Sequence, residues 1–269
     1  MRRTVYLIAA IQFLTMATHA AAQITMTPLG TFDAGVFRDA DPRISEINAF
    51  DPVGQRIYVV NPLNSRLDVI NASNPSAPTG AGSVNIVTDC ASAQGAGCPI
   101  ASSEPNSVAI FGDLMGIAIS NANRQANGHA VFYRLHGAAA PQFLVSLEVG
   151  AVPDAIVFTE DGEYALTANE GEPNQAYTID PKGSVSVIEI GRLGESGAVR
   201  HVFFDRYNNP GQRKQLERDG VRIFGPNASP SQDLEPEYIA TDKNKAYVTL
   251  QENNAMAIIN IRSATLESI

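Results

Sequence analysis

An all-β fold of repeated blades, a β-propeller, is what this sequence predicts, and three observations predict it. The first is a recurring motif. SEINAF from Ser45, PNSVAI from Pro105, PDAIVF from Pro153 and PEYIAT from Pro236 align residue for residue. Their second column is always an acid or an amide: Glu46, Asn106, Asp154 and Glu237. Asn61, Asn121 and Asn169 each follow that column by fifteen residues, and Gln251 follows it by fourteen. Returning columns of this kind are the signature of a repeat architecture. The second observation is the unit between Val152 and Ile190. Apolar strands at Ala155–Thr159 and Tyr164–Ala168 flank a turn at Glu160-Asp161-Gly162, and a third strand covers Ser184–Ile190. The third is composition: 21 glycines, 16 prolines and no tryptophan describe a turn-rich β chain rather than a helical one.

The elements follow in chain order. Residues 1–22 read as a secretory signal, with Arg2 and Arg3, an apolar run from Val5 to Ala17, and Ala20-Ala21-Ala22 before Gln23. The paired arginines fit an ordinary n-region. Residues 23–269 are then the exported part, a partial propeller placed in the periplasm, outside the cell or at its surface. Ile24–Phe32 is expected to be a lone strand. Steps of 60, 48 and 83 residues separate the second-column residues, against about 40–45 for one blade. The last step is read as one blade with a long insertion, since 191–234 holds no second copy of the spacing. That insertion gathers Arg200, Arg206, Arg213, Lys214, Arg218 and Arg222, and Pro210–Asp219 reads as a short helix before Gly220. It is either a solvated lobe or a basic arm over an acidic mouth. After the third strand of the first blade, Ser83–Val87 is expected to supply the fourth. The only two cysteines, Cys90 and Cys98, are expected to form a disulfide in an exported protein. No other thiol or imidazole sits near enough to suggest a metal site there.

Charge narrows the partners. Net charge is −9, and losing Arg2 and Arg3 with the signal makes it −11. That excludes nucleic acid and anionic membrane as natural partners and suits divalent cations. No stretch is long and apolar enough for a transmembrane span. The chemistry-bearing candidates are acids at repeat boundaries: Glu46, Asp154, Glu170, Glu172, Glu235, Glu237 and Glu252. Equivalent loops of a propeller converge on one face, so these hard oxygen donors would meet around a calcium ion. Asn106 and Asn169 would lie beside them as ligand-binding groups, with Arg200 and Arg206 as anion contacts. The alternative is structural: the acids hydrogen-bond neighbouring backbone, and Asn61, Asn121 and Asn169 are turn residues in left-handed geometry. The histidines, His19, His129, His136 and His201, show no metal spacing, and no G-x-S-x-G, Walker or dinucleotide motif occurs.

The blocks LEVGAVPDAIVFTEDGEYALTANEGEPNQAYTIDPKGSVSVIEI, GVRIFGPNASPSQDLEPEYIA and AYVTLQENNAMAIINI resemble the choice-of-anchor I family, as do LGTFDAGVF and PNSVAI. These are secreted, YVTN-like β-propellers with a variable C-terminal anchor, and the likeness covers nearly all of residues 26–262. It implies about seven blades in full, so four repeats read as a fragment, with any anchor beyond residue 269. Two functions follow as expectations. One is an exported binding module with an acidic, calcium-holding face and an unidentified surface ligand or partner. The other resembles propeller alkaline phosphatases and phytases: a calcium-dependent phosphoesterase in which Asp154, Glu170, Glu172, Glu235 and Glu237 hold the metal. There Arg200, Arg206 or Lys214 would meet the phosphate.

Overall fold

The computed structural model describes residues 26–32, 47–92 and 103–269. Glu46, Cys98 and the signal segment lie outside them. Among these residues, sixteen strands form four antiparallel sheets, each a four-stranded meander in sequence order. The first sheet holds β1 (Asn48–Asp51), β2 (Arg56–Asn61), β3 (Arg66–Asn71) and β4 (Thr79–Val84). A helix, α1 (Ile86–Ser92), follows it. The second sheet holds β5 (Glu104–Phe111), β6 (Leu114–Ser120), β7 (Asn127–Arg134) and β8 (Gln142–Ala151). The third holds β9 (Pro153–Phe158), β10 (Tyr164–Asn169), β11 (Ser184–Glu189) and β12 (Val199–Phe203). Helices α2 (Pro210–Arg218) and α3 (Pro230–Asp233) come next, before β13 (Ile239–Thr241), β14 (Lys245–Leu250), β15 (Ala255–Asn260) and β16 (Thr265–Ser268).

The sheets stack because their strands are apolar on both faces. Successive side chains of a strand point to opposite sides. In the second sheet, Ile117, Ile119, Val131 and Tyr133 pack on Tyr58, Val60, Leu67 and Val69 of the first. Their neighbours Ala118, Ala130 and Phe132 face the other way, onto Ile156, Ala165 and Ile188 of the third. The third sheet repeats the device: Leu166, Ala168, Val185 and Val187 meet Ala246, Val248, Leu250 and Ile259 of the fourth. Every residue of β6 is consequently buried. The first strands β1, β5, β9 and β13 neighbour one another in series, which brings the motif columns to a common inner side.

Several expectations change. Residues 26–32 contain no strand. The first sheet's fourth strand ends at Val84, and Ile86 begins α1, so Cys90 sits in a helix, fully buried, rather than in a loop. The last repeat carries a full four-stranded sheet, with β16 paired to β15. The insertion starts later than residue 191, because β12 is the third sheet's outer strand. Asn61, Asn121 and Asn169 are not left-handed. Their side chains act instead: Asn61 accepts from the Asn64 N–H, Asn121 from that of Asn123, and Asn169 is fully buried.

The insertion is fastened to the stack rather than hung from it. Asn209 caps α2, whose one buried residue is Leu216, and Gly220 turns the chain with φ of 93°. The Asn253 side chain, fully buried, donates to the Arg222 and Asp233 carbonyls and accepts from the Glu235 N–H. Gly183 N–H donates to Ser231 O, and a Cβ at Gly183 would stand 1.9 Å from the Leu234 carbonyl oxygen. Gly183→Ala is therefore expected to destabilise the protein by about 1–3 kcal/mol. Gly191→Ala, with nothing within 4 Å of its added Cβ, should stay within about 0.5 kcal/mol of the parent. Urea unfolding of the two variants checks the contrast, and equal midpoints would contradict this packing.

Candidate functional site

The start of β9 and two loops deliver acids to the inner side of the third and fourth sheets. Asp154 is the second residue of β9. Before it, Val152 is buried with φ of 49°, a left-handed conformation that a β-branched residue adopts only when its surroundings impose it. Those surroundings are visible: the Glu170 N–H donates to the Val152 carbonyl, and the Gly171 N–H donates to that of Ala151. The acidic loop after β10 is thereby folded back onto the β8–β9 junction. Gly171, with φ of 75°, allows the tight approach to Lys182, whose backbone would lie 2.6 Å from a Cβ. Glu237 enters just before β13, held by its N–H to Thr249 O. One carboxylate oxygen from each of Asp154, Glu170 and Glu237 lies within 4.8 Å of the others.

Crowding like charges at this distance, with little water, must cost the charged form. Glu170 is 8 % exposed, and burial first, then Asp154, Glu172 and Glu237, push its carboxyl up to about 9. A hydrogen bond between Glu170 and Glu237 adds to the same upward push on Glu170. Glu235, half-buried, is pushed up to about 7 by burial and then by Glu172, Asp233, Glu252 and Asp180. Beside the group lies a cavity of about 400 Å³. Among the described residues that line it, seven of twelve are carboxylates, with Tyr177 and Phe224 among the rest, and none is Lys, Arg or His.

The acids do not share one role. Asp233 is nearly buried and accepts from the Phe224 and Gly225 N–H groups, which makes it a brace for the insertion. Asp180 has one buried oxygen without a hydrogen bond, and burial followed by Asp233 raises its pKa. Glu252 is exposed at the rim. Glu172 is engaged by Arg124, whose Nε and Nη2 lie 2.9 and 2.6 Å from Glu172 Oε2, while Nη1 lies 3.6 Å from Glu104 Oε2. Burial works against the Arg124 charge, but its bonds to Glu172 and the pull of Glu172, Glu170 and Glu104 outweigh it, and its pKa is raised.

The remaining sequence candidates do other work. Asn106 donates to Ser120 Oγ and to the Pro153 carbonyl, tying β5 to β9 one residue before Asp154. Asn169 donates to Ser184 and Ser186 and accepts from Thr167, all within the third sheet. Arg200 of β12 donates to the Arg262 carbonyl, joining the third sheet to the fourth, and Arg206, after β12, donates to those of Leu266 and Glu267, tying the insertion to β16. Arg213 pairs with Glu217, and Arg222 lies 4.9 Å above the Phe224 ring. The insertion thus presents Phe224, Gln232 and Asp233 to the cavity, not its basic side chains. Sequence reading missed Arg124, Asp180 and Asp233. Arg124 had a signal: it follows Asn121 by three residues, as Glu172 follows Asn169. A larger cavity of about 560 Å³, between the second and third sheets, is lined mainly by apolar residues and glycines; its Asp113 is paired with Arg134 at 2.7 Å.

Comparison with known proteins adds the family. No functionally curated protein matches the chain. Among solved structures, a Bacteroides uniformis protein provisionally described as a 6-phosphogluconolactonase is similar, with 13 % identity and a TM-score of 0.51, over 83 % of this chain and 52 % of that one. A Lactobacillus plantarum protein shares 17 % identity at a TM-score of 0.49, over 82 % and 55 %. The chain thus spans little more than half the length of these two structures, and the first likeness bears on the fold alone. The choice-of-anchor I domain model matches residues 46–269, which takes in all four sheets and the repeat columns. By that match the chain belongs to the choice-of-anchor I domain family.

Proposed function

We propose that this protein is an exported β-propeller binding module that holds a calcium ion, or another hard divalent cation, among Asp154, Glu170 and Glu237. The observation that carries this reading is the convergence of three carboxylates from two sheets within 4.8 Å, one of them buried. Carboxylates crowded in this way suit a hard cation with oxygen ligands. The signal at residues 1–22 and the Cys90–Cys98 disulfide belong to the same reading, as does a cell-surface or periplasmic address. Closure into a full ring of about seven blades is part of it too. Phe50 of the first sheet and Tyr238 and Met256 of the fourth are about half exposed, and further blades would cover such faces. Ligand binding is favoured over phosphoester hydrolysis because Arg200 and Arg206 are committed to backbone carbonyls and, among the described residues, no basic side chain lines the acidic cavity.

Thermal unfolding in EDTA and then in calcium tests the ion. A site filled at ~100 times its dissociation constant stabilises by about 2.7 kcal/mol. Joint replacement Asp154→Ala with Glu237→Ala is expected to abolish the shift. An unchanged shift in that double variant, or no response of the parent to calcium, magnesium or manganese, would remove the site.

The pH dependence of the metal-free protein is a separate test. Glu170 and Glu235 bind their protons more tightly folded than unfolded. Their contribution is therefore complete below the unfolded carboxylate range and is lost as pH rises through about 7 for Glu235 and about 9 for Glu170. Urea midpoints in EDTA should fall from pH 5 to pH 9, and Glu170→Gln should flatten the upper part of the curve. Midpoints that climb across this range would contradict the buried-acid geometry.

A further inference from the structure

We propose that Arg124 is a resident counter-ion that sets how tightly the acidic site holds its cation, by occupying Glu172 and keeping it out of the coordination shell. This inference rests on the cation-binding reading of Asp154, Glu170 and Glu237. Arg124 belongs to the loop between β6 and β7 of the second sheet, yet its guanidinium crosses to the acidic loop of the third. Two of its nitrogens contact a single Glu172 oxygen at 2.9 and 2.6 Å, and a third lies 3.6 Å from Glu104. Gln125, its chain neighbour, donates to the Glu172 carbonyl, so both main chain and side chain of Glu172 are held.

Glu172 and Glu170 both line the acidic cavity and are two residues apart. Without the guanidinium, Glu172 would lose this compensation beside the carboxylates of Asp154, Glu170 and Glu237, which already crowd one another. Glu172 would then be free to turn toward a cation. A fixed positive charge this close opposes a second one, and it does so most strongly where water is scarce. The choice of arginine fits the role, since its planar fork locks a carboxylate in a way a lysine ammonium does not.

Calcium titration calorimetry on the exported chain and four variants tests this. Arg124→Gln is expected to bind calcium at least about tenfold more tightly than the parent, a difference of about 1.4 kcal/mol. Arg124→Lys keeps the charge, loses the fork and should fall between the two. Adding Glu172→Gln to Arg124→Gln should return the affinity to that of the parent, as a double-mutant cycle requires when one side chain acts through the other. Melting in EDTA verifies that each variant is folded, and if Arg124→Gln fails to fold, the Arg124→Lys comparison decides alone. Unchanged or weaker binding in Arg124→Gln overturns the proposal, as does a gain that survives in the double variant. Uptake by Arg124→Gln but not by the parent would uphold the role of Arg124 and leave the resting protein without the ion. No uptake by either, with Glu170→Gln also silent, overturns the cation reading itself and this inference with it.

Discussion

Each inner sheet of this protein must satisfy two neighbours at once, and most of the structure follows from that constraint. A strand buried on one face alternates apolar with polar residues; a strand buried on both cannot. Ile117 and Ala118, or Val131 and Phe132, are adjacent in sequence and belong to different seams. Both seams mix sizes: Ile117, Ile119, Val131 and Tyr133 face the first sheet, while Phe132, with Ala118 and Ala130, faces Ile156, Ala165 and Ile188 of the third. Polar side chains inside the stack are small and hydrogen-bonded, as Thr167 and Ser186 are to Asn169, and the acids of the site lie where strands begin or end.

That distribution explains how much of the fold was legible. The three inner strands of a unit carry the pattern, and Ala155–Thr159, Tyr164–Ala168 and Ser184–Ile190 correspond to β9, β10 and β11 within a residue or two. Fourth strands were not legible. In β4 the sequence TGAGSV has one buried residue of six, and in β16 the sequence TLES has none. An outer strand packs on little, so its composition is free to drift, and only its hydrogen bonds to the strand inside it define it. The asparagine column was visible while its mechanism was not, because an amide that ends a strand by its side chain looks the same in sequence as one that turns the backbone.

The acidic site was legible by column and illegible by distance. Repeat position places Asp154 and Glu237 on the same inner side, and the loop after Asn169 supplies Glu170. Nothing in a sequence tells Glu170 from Glu172, two residues apart and both acidic. The structure separates them: the first is nearly buried against two other carboxylates, and the second is turned to Arg124. Asp180 and Asp233 were missed because they arrive from connections outside the repeat, where no column points to them.

The origin of the site's residues bears on how such a chain can vary. Stacked repeats are commonly treated as interchangeable units, each contributing one slab and one pair of interfaces. Here the second repeat supplies Arg124 and Asn106, the third Asp154, Glu170 and Glu172, and the fourth Glu237, with the insertion wedged between the last two. Shuffling or duplicating any of these three would separate a charge from its counterpart. The first repeat contributes no contact to this group among the described residues. Exchange of a blade among the second to fourth repeats would therefore have to bring the matching charge with it.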